Sequence, residues 1–106
     1  MLSEQEFFKA VEETFAWLEE MLEAADAQGA LEVERGEGVL TVTLPGGHQY
    51  VVNRHAPSHE LWVASPVSGG LHFSHAGGRE WKLADGRLLA EVLAAELRQL
   101  AGIEVR

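Results

Sequence analysis

The chain has 106 residues, enough for one domain over residues 1–106 with one modest core. Its 17 acidic and 8 basic side chains give a formal net charge of -9, a field that repels nucleic acid and anionic membranes and attracts cations and basic protein surfaces. With no cysteine, a disulfide framework, a thiolate nucleophile, a zinc finger and a cluster held on the protein's own thiolates are all excluded. No apolar run approaches the roughly 18 residues that would mark a membrane span. The opening Met-Leu-Ser-Glu-Gln-Glu lacks the basic start of a leader, so a cytoplasmic protein is expected.

Ser3-Glu4-Gln5-Glu6 has the S-x-x-E pattern of a capping box. Phe7, Val11, Phe15, Leu18, Leu22 and Ala25 follow at helical spacing, which predicts a first helix from Ser3 to Ala25, ended by Ala27-Gln28-Gly29. Short alternating segments come next. Leu31 to Glu34, Val39 to Leu44, Gln49 to Asn53, Glu60 to Ser65, Leu71 to Ser74 and Glu80 to Leu83 read as six strands. Turns at Gly36-Glu37-Gly38, Pro45-Gly46-Gly47 and Gly77-Gly78 separate three of the pairs. Spacings this short predict antiparallel hairpins, because a parallel crossover needs a dozen or more residues. Asp85-Gly86 is expected to open a second helix, with Asp85 as N-cap and Gly102 at its end. Leu89, Val92, Leu93, Glu96, Leu97 and Leu100 form the inner stripe of that helix.

Helix, strands, helix predicts an α+β fold: a two-layer sandwich with two helices packed on one face of a single antiparallel sheet of about six strands. Leu61, Val63, Leu71, Phe73, Trp81 and Leu83 are expected to point at the helices. Gln49, Val51, Asn53, Glu60, Trp62 and Ala64 take the other parity and face water or a partner. Trp62 is the notable member of that set. Glu60 marks its parity as the wet one, and a large aromatic there is more often a contact anchor than a stabiliser.

On a helical wheel Glu12, Glu19, Glu23 and Asp26 fall in one sector, with Glu13 and Glu20 beside it; only Lys9 adds a positive charge to this helix. Glu32 and Glu34 lie on the outer parity of the next strand. If that strand is the sheet edge beside the helix, six or more carboxylates line a ridge. Hard cations prefer such oxygens. Carboxylates spread along a surface cannot close a cage, however, so weak, multiple and salt-sensitive binding is expected. The bland alternative is a solvated helix face.

His55 and His59 are four apart, but Pro57 between them argues against a helical metal pair. His72 and His75 have opposite parity and cannot share a face; His72 is expected outward, near Trp62. No nucleophile motif or phosphate-cradling loop is present. Trp81 reads as core, whereas Trp17 falls off the apolar stripe.

Gly38-Val39-Leu40-Thr41-Val42-Thr43-Leu44, then Tyr50-Val51-Val52-Asn53-Arg54, then Pro57-x-x-Glu60-Leu61-Trp62-Val63-Ala64-Ser65-Pro66-x-Ser68-Gly69 resembles the frataxin family, nearest its bacterial form. The resemblance extends over essentially the whole chain, including the acidic first helix, Trp81 and the Leu-rich second helix. It implies two helices on an antiparallel sheet, weak iron binding (Fe2+ or Fe3+) on the ridge, and docking on the cysteine desulfurase of iron-sulfur cluster assembly, with the cluster scaffold as a further partner. It implies regulation of that machine, usually restraining, with no catalytic step and no organic cofactor. The ridge positions it implies for metal are Glu19, Glu20, Glu23, Asp26, Glu32 and Glu34. For the partner it implies Asn53 and Trp62, together with Glu19, Glu20 and Glu23. The chain departs from the family at Ala24, Ala25, Gln28 and Ala30, where further acids are common. It departs again at Phe8, a histidine in some members, and at His55 and Glu60, where glutamine is usual.

Two rival readings come from other classes. A ferroxidase or iron store needs a defined oxidation site such as the Glu-x-x-His pairs of di-iron bundles, and the first helix contains no histidine. A generic acidic interaction domain needs no metal. The high negative charge favours a monomer.

Overall fold

In the computed structural model, which describes residues 2–105, helix α1 spans Glu4–Ala25. Its start is the expected capping box. The Ser3 hydroxyl accepts from the Glu6 N–H at 3.1 Å, and the Glu6 carboxylate accepts from the Ser3 N–H at 2.9 Å. Six strands follow: β1 (Glu32–Gly36), β2 (Val39–Thr43), β3 (Gln49–His55), β4 (Glu60–Ser65), β5 (Gly69–Gly77) and β6 (Glu80–Lys82). They form one antiparallel sheet in the order β1-β2-β3-β4-β5-β6, so every strand pairs with its neighbour in sequence. Helix α2 (Leu89–Ala101) closes the fold and ends on Gly102 at φ 65.

The two helices cover one face of the sheet. Phe7, Val11, Phe15, Leu18 and Leu22 of α1 and Leu89, Val92, Leu93 and Leu97 of α2 are buried against Leu40, Val42, Tyr50, Val52, Leu61, Val63, Phe73 and Trp81. The expected α+β sandwich and its inward parity are both present, although Leu71 is only half-buried. Trp81 is fully buried and donates its Nε1–H to the Thr14 hydroxyl at 2.7 Å; that hydroxyl in turn donates to the Ala10 carbonyl. Trp17 is half-buried with the Arg79 guanidinium 5.1 Å from its ring, so the β5–β6 hairpin covers it.

Several boundaries differ from expectation. β1, β3 and β5 pair further than their alternation shows, because backbone hydrogen bonding continues past the last apolar side chain. Asp85 does not cap α2. Its Oδ1 accepts from the Arg87 N–H at 3.0 Å and its Oδ2 from Arg87 Nε at 2.9 Å, which closes a turn before the helix. The helix begins later, at Leu89, with the Glu91 carboxylate accepting from the Leu88 N–H. The β1–β2 turn requires its glycine: Gly38 has φ +69, and a Cβ there would lie 2.6 Å from Arg54 Nε.

One buried carboxylate ties the layers together. Glu96 of α2, 6% exposed, accepts from Tyr50 Oη of β3 at 2.6 Å, Ser65 Oγ of β4 at 2.5 Å and Ser68 Oγ at 2.5 Å. The Ser65 hydroxyl also accepts from the Val67 and Ser68 N–H groups, so the β4–β5 hairpin is anchored to α2. Burial raises the pKa of Glu96, but the hydroxyls of Ser65, Ser68 and Tyr50 outweigh it and hold the group below 4.5. For Tyr50, burial and then the Glu96 hydrogen bond push the phenol up.

Because the folded pKa of Glu96 is depressed, its stabilising contribution is complete above pH 4.5 and is lost as pH falls below it. Glu96→Gln is expected to cost about 1–3 kcal/mol at neutral pH. In urea unfolding the gap to the parent protein narrows as pH falls from about 6 to 3. A gap independent of pH overturns the assignment.

Candidate functional site

The acidic face of α1 borders β1, the edge strand. Val33 and Arg35 share one parity of β1, and Glu32 and Glu34 take the other. Arg35 reaches back to α1. Its guanidinium bonds the Glu12 carboxylate, the Glu12 carbonyl at 3.2 Å and the Glu19 carboxylate at 2.9 Å, and lies 6.0 Å from the Phe15 ring centre. Burial lowers the pKa of Arg35, yet the Glu12 and Glu19 carboxylates outweigh that and raise it. Lys9 is the one basic side chain of α1 itself, as expected, and a cation from the neighbouring strand occupies part of the ridge as well. Its separation in sequence from both glutamates hides it from any helical wheel.

The six ridge carboxylates therefore have different environments. Glu19 is half-buried and paired. Asp26 accepts from the Ala30 N–H at 2.7 Å and the Leu31 N–H at 2.9 Å, so it shapes the connection into β1. Glu20, Glu23, Glu32 and Glu34 are exposed, and among the described residues none has an ion-pair partner. No group of three or more His, Asp or Glu side chains among the described residues converges to hold an ion. The donor set fits a hard cation held through one or two carboxylate oxygens with its water retained, and does not fit a closed cage.

The second cluster lies on the uncovered face of the sheet. Trp62 pairs in register with Asn53 on β3 and His72 on β5. It does not stand free in water. Its indole is half-buried between two imidazoles: His55 at 3.6 Å between ring centres and 9° between planes, and His72 at 4.3 Å and 8°. Its Nε1–H donates to Glu60 Oε1 at 3.0 Å, and the Ser58 hydroxyl donates to the same oxygen at 2.8 Å. These two bonds hold the Glu60 pKa below its ordinary value against the opposing effect of burial, with further help from His72 and His55. Asn53 is exposed beside the stack. His72 was legible from its parity. His55 was not read into the cluster, although it lies two residues beyond Asn53 and so on the same face.

The other histidines lie elsewhere. His59 follows a single 3-10 turn over Ala56–Ser58 at φ 52 and stacks on Phe7 at 4.8 Å, so it turns away from His55. His75 meets the edge of Trp81 at 5.0 Å. Phe8 packs under the Arg54 guanidinium at 4.4 Å.

A family model for the frataxin-like domain matches residues 1–103. The chain is 36% identical over 103 residues to the iron-sulfur cluster assembly protein CyaY of Neisseria meningitidis serogroup B, covering 96% of this chain and 92% of that one. It is 35% identical over 103 residues to the protein of the same name from Neisseria gonorrhoeae, with the same coverage. Among solved structures, a frataxin from Psychromonas ingrahamii superposes with a TM-score of 0.88 at 21% identity, over 98% of this chain and 96% of that one. The trimeric frataxin of Saccharomyces cerevisiae, solved in complex with ferrous iron, gives 0.72 at 29% identity, over 85% and 83%.

Arg35→Gln leaves Glu12 and Glu19 without a countercharge. It is expected to destabilise the fold by about 1 kcal/mol, because both pairs are part-exposed. It is also expected to tighten binding of a divalent cation such as Mn2+ several-fold, read by NMR line broadening along α1. Unchanged or weaker cation binding overturns the view that Arg35 competes for the ridge.

Proposed function

The chain belongs to the frataxin-like domain family, and from that membership we propose that it serves iron-sulfur cluster assembly as a regulatory adaptor docking on a cysteine desulfurase. Iron is a loosely held ligand in this reading, Fe2+ or Fe3+ bound with most of its water. The exposed carboxylates of Glu20, Glu23, Glu32 and Glu34 are its first landing points; Glu19 and Asp26 are partly committed to the fold. The chain assigns itself no bond-making step. It supplies a negatively charged edge and a contact face, and works in the cytoplasm as a monomer, whose self-association the charge of -9 opposes. The cluster scaffold is a second partner within reach of the same surfaces.

The observation that carries this reading is the contrast between two neighbouring surfaces. The α1–β1 edge is acidic and open, which suits long-range attraction to a basic patch. The uncovered sheet face carries Trp62 and Asn53 on rigid strands, which suits short-range contact. Attraction brings the partner in, and the strand residues fix how it sits.

The triple variant Glu19→Gln, Glu20→Gln, Glu23→Gln is expected to bind a cysteine desulfurase roughly tenfold more weakly at low salt, with a flatter salt dependence. Unchanged affinity at low salt overturns the charge-matching role. Backbone NMR shifts on adding Fe2+ are expected along α1 and β1 only; their absence favours an acidic interaction domain that holds no metal.

A further inference from the structure

We infer that the sheet face around Trp62 is proton-gated: His55 and His72 cover the two sides of the indole and hold it more tightly when either takes up a proton, so that docking there weakens as pH falls. The inference rests on the proposed reading of Trp62 as a docking residue and adds regulation to it.

The hydrogen bonds assign the proton positions. The Ser58 hydroxyl has one proton and gives it to Glu60 Oε1 at 2.8 Å. It must then accept from His55, whose Nδ1 lies 2.7 Å away. His55 therefore carries its proton on Nδ1, and Nε2 is where the next one binds. Imidazole is the side chain whose charge changes between about pH 5 and 8. A proton on His55 places a cation 3.6 Å over the indole face, and one on His72 places a cation 4.3 Å from the opposite side. Both contacts are attractive to the aromatic face. A partner that closes on Trp62 must displace or overlie those rings, so a tighter stack opposes it. The added positive charge also repels a basic partner surface.

The surrounding charges leave this response in place. From β4, Glu60 faces the stack through its bond from the Trp62 Nε1–H, and the Trp62 and Ser58 hydrogen bonds hold its pKa below the ordinary carboxylate value. The turn before β4 contributes Ser58, which is neutral, and β3 contributes Asn53 opposite Trp62. Beyond His72, a shallow hollow is lined by Asp85 and Arg87, which pair with each other at 2.9 Å. β6 presents Lys82 opposite Ser74, two residues along β5 from His72. Arg54 leaves the face altogether and lies over Phe8, with Glu37 at 3.7 Å.

The first test needs no partner. The Trp62 Nε1–H resonance, identified by its loss in Trp62→Phe, is followed by NMR from about pH 8 to 5. It is expected to titrate in the parent protein and to stay flat in His55→Gln, His72→Gln. A resonance that does not move, or that moves equally in the double variant, overturns the gate. The second test measures affinity for a purified cysteine desulfurase at two pH values. The parent protein is expected to lose about three- to tenfold more affinity than the double variant between pH 8 and 6. An equal loss in both overturns the gate while leaving docking intact. Trp62→Ala at pH 8 tests docking by itself: unchanged affinity there sinks the docking role even if the NMR titration is observed.

Discussion

Covering one face of a six-stranded meander with two helices is the constraint from which the remaining features follow. α1 and α2 lay their apolar stripes on Leu40, Val52, Leu61, Val63 and Phe73, and alternation then sends Asn53, Trp62 and His72 to the open side. A slip of one residue in β4 would bury Trp62 and expose Leu61 and Val63, so burial on one side holds register on the other. The open face is held in register by the core behind it.

The same packing brings α1 alongside β1, and this creates the electrostatic compromise of the molecule. A run of glutamates on one helix face repels itself, with a cost of a few tenths of a kcal/mol for each like pair at i,i+4. Arg35 relieves part of that repulsion at Glu12 and Glu19, and gives up part of the ridge in doing so. Glu20 and Glu23 are left outside the pairing and keep the edge anionic. Stability and cation attraction therefore compete for the same side chains. Among the described residues, this open placement brings no three carboxylates together around one point.

Buried polar groups supply specificity where the apolar core alone would leave freedom. Trp81 is aimed by the Thr14 hydroxyl, and the β4–β5 hairpin is moored to α2 by Glu96 through Ser65 and Ser68. Each of these groups is satisfied: no buried side-chain nitrogen or oxygen among the described residues lacks a partner. β4 carries Trp62 outward and Ser65 inward, so the mooring of the hairpin also steadies the strand that bears Trp62.

The order of elements, the helix-facing parity and the outward position of Trp62 were legible in the sequence, because period and alternation are local properties that each strand or helix writes into its own residues. The capping box at Ser3 and the closing Gly102 were legible for the same reason. Asp85 misled because an Asp before an apolar stripe has the same local appearance whether it caps the helix or closes a turn three residues earlier. Arg35 on Glu12 and Glu19, Asp26 on the β1 entry, Glu96 under Tyr50 and Ser65, and His55 stacked on Trp62 were decided only by the tertiary structure. Apart from the short Asp26 link, these contacts join different elements, and their existence depends on the distance and angle at which the elements pack rather than on the pattern within any one of them.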